Sequence, residues 1–165
     1  MVFGGLGVGV LARVSSPAPL AWLAGFLVGL FYANGFEYFL HRFLLHRPGS
    51  YLTRVHFLHH DSLGGAEEAL YVNFLGRPWW VVLLLGMNAA PFAAAEWWLR
   101  VGMAPGMLIG FVVYYIAAEE IHWRSHVGWL PSWLGFARRH HMLHHAGTAG
   151  RFNVFLPLFD RLLGT

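Results

Sequence analysis

Three stretches of the chain are continuously apolar, and each is near the length of about 20 residues that a helix needs to cross a bilayer. Charges within them occur only near their ends, at Glu37 and Glu96. Pro91 is expected to kink or split the second helix. The third stretch continues as a helix as far as His122. The pattern predicts membrane helices over residues 18–40, 78–99 and 105–118.

The opening segment, residues 1–12, is apolar and glycine-rich but too short to span. It lacks the basic stretch that begins a signal peptide, so we expect it to lie in the membrane interface or in a re-entrant hairpin. The sequence therefore predicts an all-α fold: one integral membrane domain over residues 1–165, with about three to four membrane helices and a histidine-rich cap.

Every histidine of the chain falls in one of four tight clusters within the more polar segments. Imidazole is a common nitrogen ligand for zinc, iron, copper and nickel. Four clusters, two on each side of a long apolar stretch, indicate a metal site with more than one ion. The clusters are His41 and His46; His56, His59 and His60; His122 and His126; and His140, His141, His144 and His145.

Helical spacing tests whether each cluster can converge. His122 and His126 are four residues apart and share a helix face, and the two His-x2-His-His triplets combine spacings of three and four. His41 and His46 are five apart, roughly 140° around an ideal helix. They can face one point only if the helix ends, tightens or contains a π-bulge between them.

Composition agrees with a membrane protein that binds metal through nitrogen and oxygen. The 165 residues are 57% hydrophobic and only 12% charged, with a mean hydropathy of +0.50, whereas soluble domains carry about 25% charged residues. Cysteine is absent, which excludes disulfides, thiolate ligands and a cysteine nucleophile. The pI of about 9.7 does not indicate nucleic acid, because no such binding motif is present.

Arginine placement predicts the orientation. With three crossings, nine arginines lie on the side that carries the histidines, and only Arg13 and Arg100 lie on the other side. This bias places the histidine side in the cytoplasm. The nine are Arg42, Arg47, Arg54, Arg77, Arg124, Arg138, Arg139, Arg151 and Arg161.

Acidic residues lie near the histidines, where they could accept the second N–H of a ligating imidazole. Glu37 precedes His41 by one turn, and Glu119 precedes His122 by three residues. Asp61 and Glu120 are further candidates, whereas Glu96 is interpreted as an interfacial acid with no part in the site.

These motifs together resemble the fatty acid hydroxylase / sterol desaturase superfamily. The resemblance rests on Glu37-Tyr38-Phe39-Leu40-His41 through His46, on the three later histidine boxes, and on the ending Phe159-Asp160-Arg161-Leu162-Leu163-Gly164-Thr165. It covers the chain from about Asn34 onwards. The ending departs from the family's Trp-Asp-x-x-Phe-Gly-Thr, with Phe for Trp and Leu for Phe.

The resemblance implies a membrane-bound non-haem di-iron oxygenase that hydroxylates or desaturates an unactivated C–H bond of a lipid, a fatty-acyl or sterol-type substrate. It implies two iron ions, with zinc possible in purified protein, O2 as co-substrate, and an external electron donor such as a ferredoxin or cytochrome. The implied ligands are His41, His46, His56, His59, His60, His122, His126, His141, His144 and His145, so His140 is the extra histidine.

Three alternatives remain open on the sequence. One is a structural metal site that only holds the cap together, which predicts saturated coordination with no open position. A carotenoid ring hydroxylase would have a similar length and four similar boxes, and the Gly-Thr ending argues against it. A non-catalytic membrane protein that binds or transports zinc would need polar residues along its spans, and these spans contain almost none between their ends.

Overall fold

The computed structural model describes residues 18–72, 78–147 and 150–165, together with Gly9, and the secondary structure of these residues is entirely helical. The all-α prediction is confirmed. The other residues of the opening segment 1–12, as well as Arg13 and Arg77, lie outside the described residues, so the predictions that depend on them stay predictions.

Among the described residues, three helices are long and apolar enough to cross a membrane, over Pro19–Leu45, Trp79–Leu99 and Ala104–His126. These are the three stretches that the hydropathy pattern predicts. The second helix is not split, because it continues through Pro91 to Leu99. In chain order the elements are α1 (Pro19–Leu40), a π-helix (His41–Leu45), α2 (Tyr51–Asp61), α3 (Glu68–Tyr71), α4 (Pro78–Leu99), α5 (Ala104–His126), a 3-10 turn (Ser132–Leu134), α6 (Gly135–His145) and α7 (Leu158–Leu163).

The chain forms two compact units, which we name by their content. The apolar unit comprises Met1–Ala33 and Leu75–Tyr115, and the histidine unit comprises Asn34–Phe74 and Ile116–Thr165. All the histidines belong to the histidine unit.

Within the apolar unit, α1 and α5 pack through glycines spaced four residues apart on each helix. A Cβ built at Gly29 would overlap the carbonyl oxygen of Met107, and one at Gly110 would overlap that of Phe26. Gly25 and Gly106 make equivalent close approaches. Small residues at this spacing let helix backbones meet closely inside a membrane.

Glu96 is a structural residue of the apolar unit. It is only 5% exposed, and its carboxylate accepts hydrogen bonds from the backbone N–H groups of Gly102 at 2.7 Å, Met103 at 3.0 Å and Ala104 at 3.2 Å. These groups precede or begin α5, where a helix leaves N–H groups unpaired and favours a negative charge. Glu96 is therefore a buried helix cap, and its interpretation as an ordinary interfacial acid is wrong.

Within the histidine unit, Arg138 joins α6 to the end of α5. Its guanidinium donates to the carbonyl oxygens of Arg124 at 2.7 Å, Ser125 at 3.0 Å and Gly128 at 2.8 Å. Ala137 of α6 also packs with Ile121 of α5 in a small apolar core. These contacts fix the register between two helices that both carry histidines.

Candidate metal centre

Ten of the eleven histidines converge in two groups of five. In each group the ring nitrogens that could bind an ion lie within 4.8 Å of one another. We call the groups site 1 and site 2. Site 1 comprises His41, His46, His56, His60 and His144, and site 2 comprises His59, His122, His126, His141 and His145.

The imidazoles approach one another through their Nε2 atoms. In site 1, Nε2 of His41 lies 3.0 Å from Nε2 of His56. In site 2, Nε2 of His122 lies 3.1 Å from Nε2 of His59, and Nε2 of His126 lies 2.8 Å from that of His141. A neutral imidazole has one donor and one acceptor nitrogen, so five Nε2 atoms directed at one point cannot satisfy each other. A cation at each centre would satisfy them, so the residues fit two metal ions.

The first histidine pair reaches site 1 because the chain forms a π-helix there. The N–H of His46 donates to the carbonyl oxygen of His41 at 3.2 Å, which is the i→i+5 bond of a π-turn. This wider turn brings side chains five residues apart to the same face. The five-residue spacing predicted that the helix must end, tighten or bulge between His41 and His46, and the π-helix is such an irregularity.

The two His-x2-His-His boxes each contribute to both sites. On α2, His56 and His60 belong to site 1 and His59 to site 2. On α6 the roles are exchanged, because His141 and His145 belong to site 2 and His144 to site 1. In each box the two residues four apart share a face, and the residue between them points around the helix to the other centre.

Burial keeps these imidazoles neutral. Burial first, and then the like charge of neighbouring histidines, lowers the pKa of His46 to about 4, that of His60 to about 3 and that of His145 to about 2. The same causes lower the pKa of His59 to about 3. Neutral imidazole is the form that binds a metal ion.

Three Nδ1 atoms at the back of the sites have hydrogen-bond acceptors. Nδ1 of His41 lies 2.6 Å from the carbonyl oxygen of Phe152, and Nδ1 of His144 lies 3.1 Å from that of Gly150. Nδ1 of His126 lies 2.7 Å from Oε1 of Glu68. Each contact fixes the tautomer that leaves Nε2 free to bind.

Sequence reasoning missed all three acceptors. The carbonyls of Phe152 and Gly150 have no signature in side-chain identity. Glu68 lies in the segment between α2 and α4, away from the regular spacing that identified the boxes. The structure shows why residue 150 is glycine: its φ is +105°, and a Cβ there would lie 2.5 Å from the backbone carbon of Thr165.

The four acids predicted to surround the site occupy different places. Glu37 accepts from Nδ2 of Asn153 at 2.7 Å and from the N–H of Val154 at 3.2 Å, in the loop that also carries Phe152. Glu119 is half-buried on α5. Asp61 is exposed at the end of α2, and Glu120 forms a surface ion pair with Arg124 at 2.6 Å. Their role as partners of ligating imidazoles stays a prediction.

His140 lies in neither site and instead contacts Asp160, which is 1% exposed. Nε2 of His140 lies 2.9 Å from Oδ2 of Asp160, and the same carboxylate accepts from the N–H groups of Phe152 and Asn153, each at 2.8 Å. Burial acts to raise the pKa of Asp160, but these hydrogen bonds outweigh it and hold the pKa below its usual value. Asp160 thus shapes the loop whose carbonyls contact His41 and His144.

Comparison with known proteins identifies the family. The sequence matches the fatty acid hydroxylase family over residues 26–165. The chain belongs to this family. The fatty acid hydroxylase fold is also seen in a solved structure, described as full-length Scs7p with only the hydroxylase domain visible, which is similar with a TM-score of 0.72 and 24% identity. The match covers 98% of this chain and 61% of that one, so the chain spans less than two thirds of the neighbour. No curated protein sequence matches the chain.

Proposed function

We propose that this fatty acid hydroxylase family member is a membrane-bound di-iron lipid hydroxylase. The observation that carries the proposal is the convergence of ten imidazoles, through Nε2, on two centres of five. The proposed ligands are the ten histidines of site 1 and site 2. The family match runs through both compact units, which supports one functional domain over residues 1–165.

Iron suits these donors because imidazole is a good ligand for it. Zinc binds the same donors and is expected in some preparations. When bound, the two irons supply the reductive activation of O2 that breaks an unactivated C–H bond. The protein contributes a buried, neutral set of ligands whose tautomers are fixed by the carbonyls of Phe152 and Gly150 and by the carboxylate of Glu68.

The proposed substrate is a lipid with a fatty-acyl or sterol-type body. Three helices of membrane length and a family of lipid hydroxylases support this choice. Hydroxylation by O2 leaves one oxygen atom to be reduced to water, so electrons must come from a donor such as a ferredoxin or cytochrome.

The histidine unit is proposed to face the cytoplasm, where such donors are found. Arg47, Arg54, Arg139 and Arg161 are exposed on this unit, which supports docking of an acidic donor. Arg138 has no such role, because its guanidinium donates to backbone carbonyls.

Lipid analysis of an expressing host tests the function. Membranes from cells that produce the wild-type chain are compared with membranes from cells that produce His144→Ala, which removes one ligand of site 1. A gain of one oxygen on a lipid, present only with the wild type, supports the hydroxylase. Loss of two hydrogens would instead indicate a desaturase, and oxygen on a carotenoid ring a carotenoid hydroxylase.

Metal analysis of two variants tests the ligand assignment. His144→Ala is expected to abolish activity and lower the bound metal, whereas His140→Ala, which alters a histidine outside both sites, is expected to retain both ions. Equal loss in the two variants would contradict the assignment. Bound zinc in wild-type protein that changes no lipid, even with iron and a reductant supplied, would favour a zinc-binding or transport protein.

A further inference from the structure

The two sites differ in the hydrogen-bond acceptors that contact the Nδ1 atoms of their histidines. In site 1, His41 and His144 contact neutral backbone carbonyls, those of Phe152 and Gly150. In site 2, the imidazole of His126 contacts a carboxylate. A carboxylate behind a ligating imidazole accepts a stronger hydrogen bond than a carbonyl and raises the basicity of the ligand.

Glu68 is held in direct contact with His126. The residue is 9% exposed, and its Oε1 lies 2.7 Å from Nδ1 of His126. Its second oxygen, Oε2, accepts a hydrogen bond from the N–H of Gly64 at 2.9 Å. The opposite nitrogen of His126, Nε2, lies 2.8 Å from Nε2 of His141 inside site 2. The carboxylate of Glu68 is therefore linked to the centre of site 2 through the imidazole of His126.

In the described part of the chain, three of the four other imidazoles of site 2 have no contact of this kind. The Nδ1 atoms of His59, His141 and His145 are buried, and among the residues that the structure describes they have no hydrogen-bond partner. The negative charge supplied by Glu68 is thus applied through a single ligand. The same contact also restrains the ring of His126, because Oε2 is anchored on Gly64.

We propose that Glu68 is a positioning residue of site 2 and that it makes the two ions unequal. By orienting His126 and increasing its donor strength, Glu68 makes site 2 the tighter of the two sites. The inference rests on the proposed function only in that each site holds one ion. Loss of a partner of this kind costs about 10–100-fold in metal affinity.

Cobalt titration of the full chain in detergent tests the inference without an activity assay. Metal-free protein is titrated with Co²⁺, and both visible absorption and bound metal are measured. Glu68→Ala is expected to weaken one of the two ions by about 10–100-fold and to leave the other unchanged. Glu68→Gln keeps an oxygen acceptor without the charge, so its affinity and absorption spectrum should lie between those of Glu68→Ala and the wild type.

Glu67→Gln is the matched control, because Glu67 is the exposed neighbour of Glu68 along the chain. This variant should titrate like the wild type. If Glu68→Ala does not fold, Glu68→Gln decides the question, because it is nearly the same size. A wild-type titration curve for Glu68→Gln would then overturn the charge effect.

Double variants assign the effect to site 2. In a His46→Ala background, which removes a ligand of site 1, Glu68→Ala should still weaken the remaining tight ion. In a His145→Ala background, which removes a ligand of site 2, the ion that stays tightly bound is that of site 1, and Glu68→Ala should leave its affinity unchanged. Weakening of the site 1 ion by Glu68→Ala in this background, or equal weakening of both ions in the otherwise wild-type chain, would overturn the inference.

The titration also separates this inference from the proposed function. If the wild-type chain binds two Co²⁺ ions and Glu68→Ala binds both as tightly, only the role of Glu68 is refuted. If the wild-type chain binds fewer than two ions, the two-ion centre itself is refuted, and the inference with it.

Discussion

Removing the carboxylate of Asp160 should destabilise the histidine unit and weaken site 1. Asp160 accepts hydrogen bonds from the backbone N–H groups of Phe152 and Asn153, each at 2.8 Å, from His140 at 2.9 Å and from the hydroxyl of Thr165 at 3.1 Å. Asp160→Ala would leave both N–H groups without this acceptor in a partly buried loop. The carbonyls in that loop would then lose their fixed position.

The size of the effect follows from these contacts. A hydrogen bond to a charged group contributes about 1.5–3 kcal/mol, and removing one partner from a buried charged network costs about 3–5 kcal/mol. For a chain of this size each kcal/mol lowers the Tm by about 2–4 °C, so Asp160→Ala should lower the Tm by at least about 6 °C. His140→Ala removes one of these hydrogen bonds to the carboxylate and should cost about 1.5–3 kcal/mol.

Thermal unfolding in detergent, followed with metal-free and metal-loaded protein, measures both effects. On the proposed assignment, metal content should fall towards one ion per chain in Asp160→Ala, because Phe152 and Gly150 contact histidines of site 1 only. Glu67→Gln is the control, since Glu67 is an exposed acidic residue with no role in the site. A Tm within about 2 °C of the wild type, less than the shift expected from a single kcal/mol, or loss of metal from site 2 first, would refute the role given to Asp160.

Three further results are expected. Gly29→Leu should lower the Tm, because a side chain there meets the backbone of Met107 and overpacking costs about 1–3 kcal/mol. Gly86→Ala is the control and should not lower the Tm, because the space around its Cβ is open. Equal effects of the two variants would contradict the close helix packing. Glu96→Ala should lower the Tm more than Glu96→Gln, since it leaves three N–H groups without a side-chain acceptor at about 1–3 kcal/mol each; identical values would argue against the cap. Metal-free protein should lose stability as the pH falls below about 6.5. The histidines of the unfolded chain take up protons there, whereas burial holds the pKa of His46 near 4 in the folded chain. A Tm that is the same above and below that pH would contradict neutral, buried imidazoles.

The helices and the histidine groups could be predicted because each depends on local spacing. Apolar runs of membrane length have few structural alternatives, and residues four apart on a helix must share a face. The five-residue spacing of His41 and His46 even indicated an irregular turn, and the structure contains a π-helix there. The division of each His-x2-His-His box between two centres could not be predicted, because it depends on where the neighbouring helices lie.

The outer contacts of the site were less accessible to sequence reasoning. Glu119 shares a helix face with His122 and His126 and was the natural candidate, but the carboxylate that contacts His126 is Glu68, which is 58 residues away. Backbone carbonyls leave no trace in residue identity. The glycine spacing at Gly25 and Gly29, repeated at Gly106 and Gly110, was readable in the sequence and would have predicted the contact of α1 with α5.

Helices α2 and α6 each contribute histidines to both sites, and this division bears on the order in which the sites form during synthesis. On the proposed assignment, site 1 has four of its five ligands before residue 144 leaves the ribosome, and site 2 has three before residue 141 does. Neither ion can be fully enclosed before α6 has been synthesised. Metal enclosure therefore follows the synthesis of α6, and the emergence of this helix should complete both centres almost together.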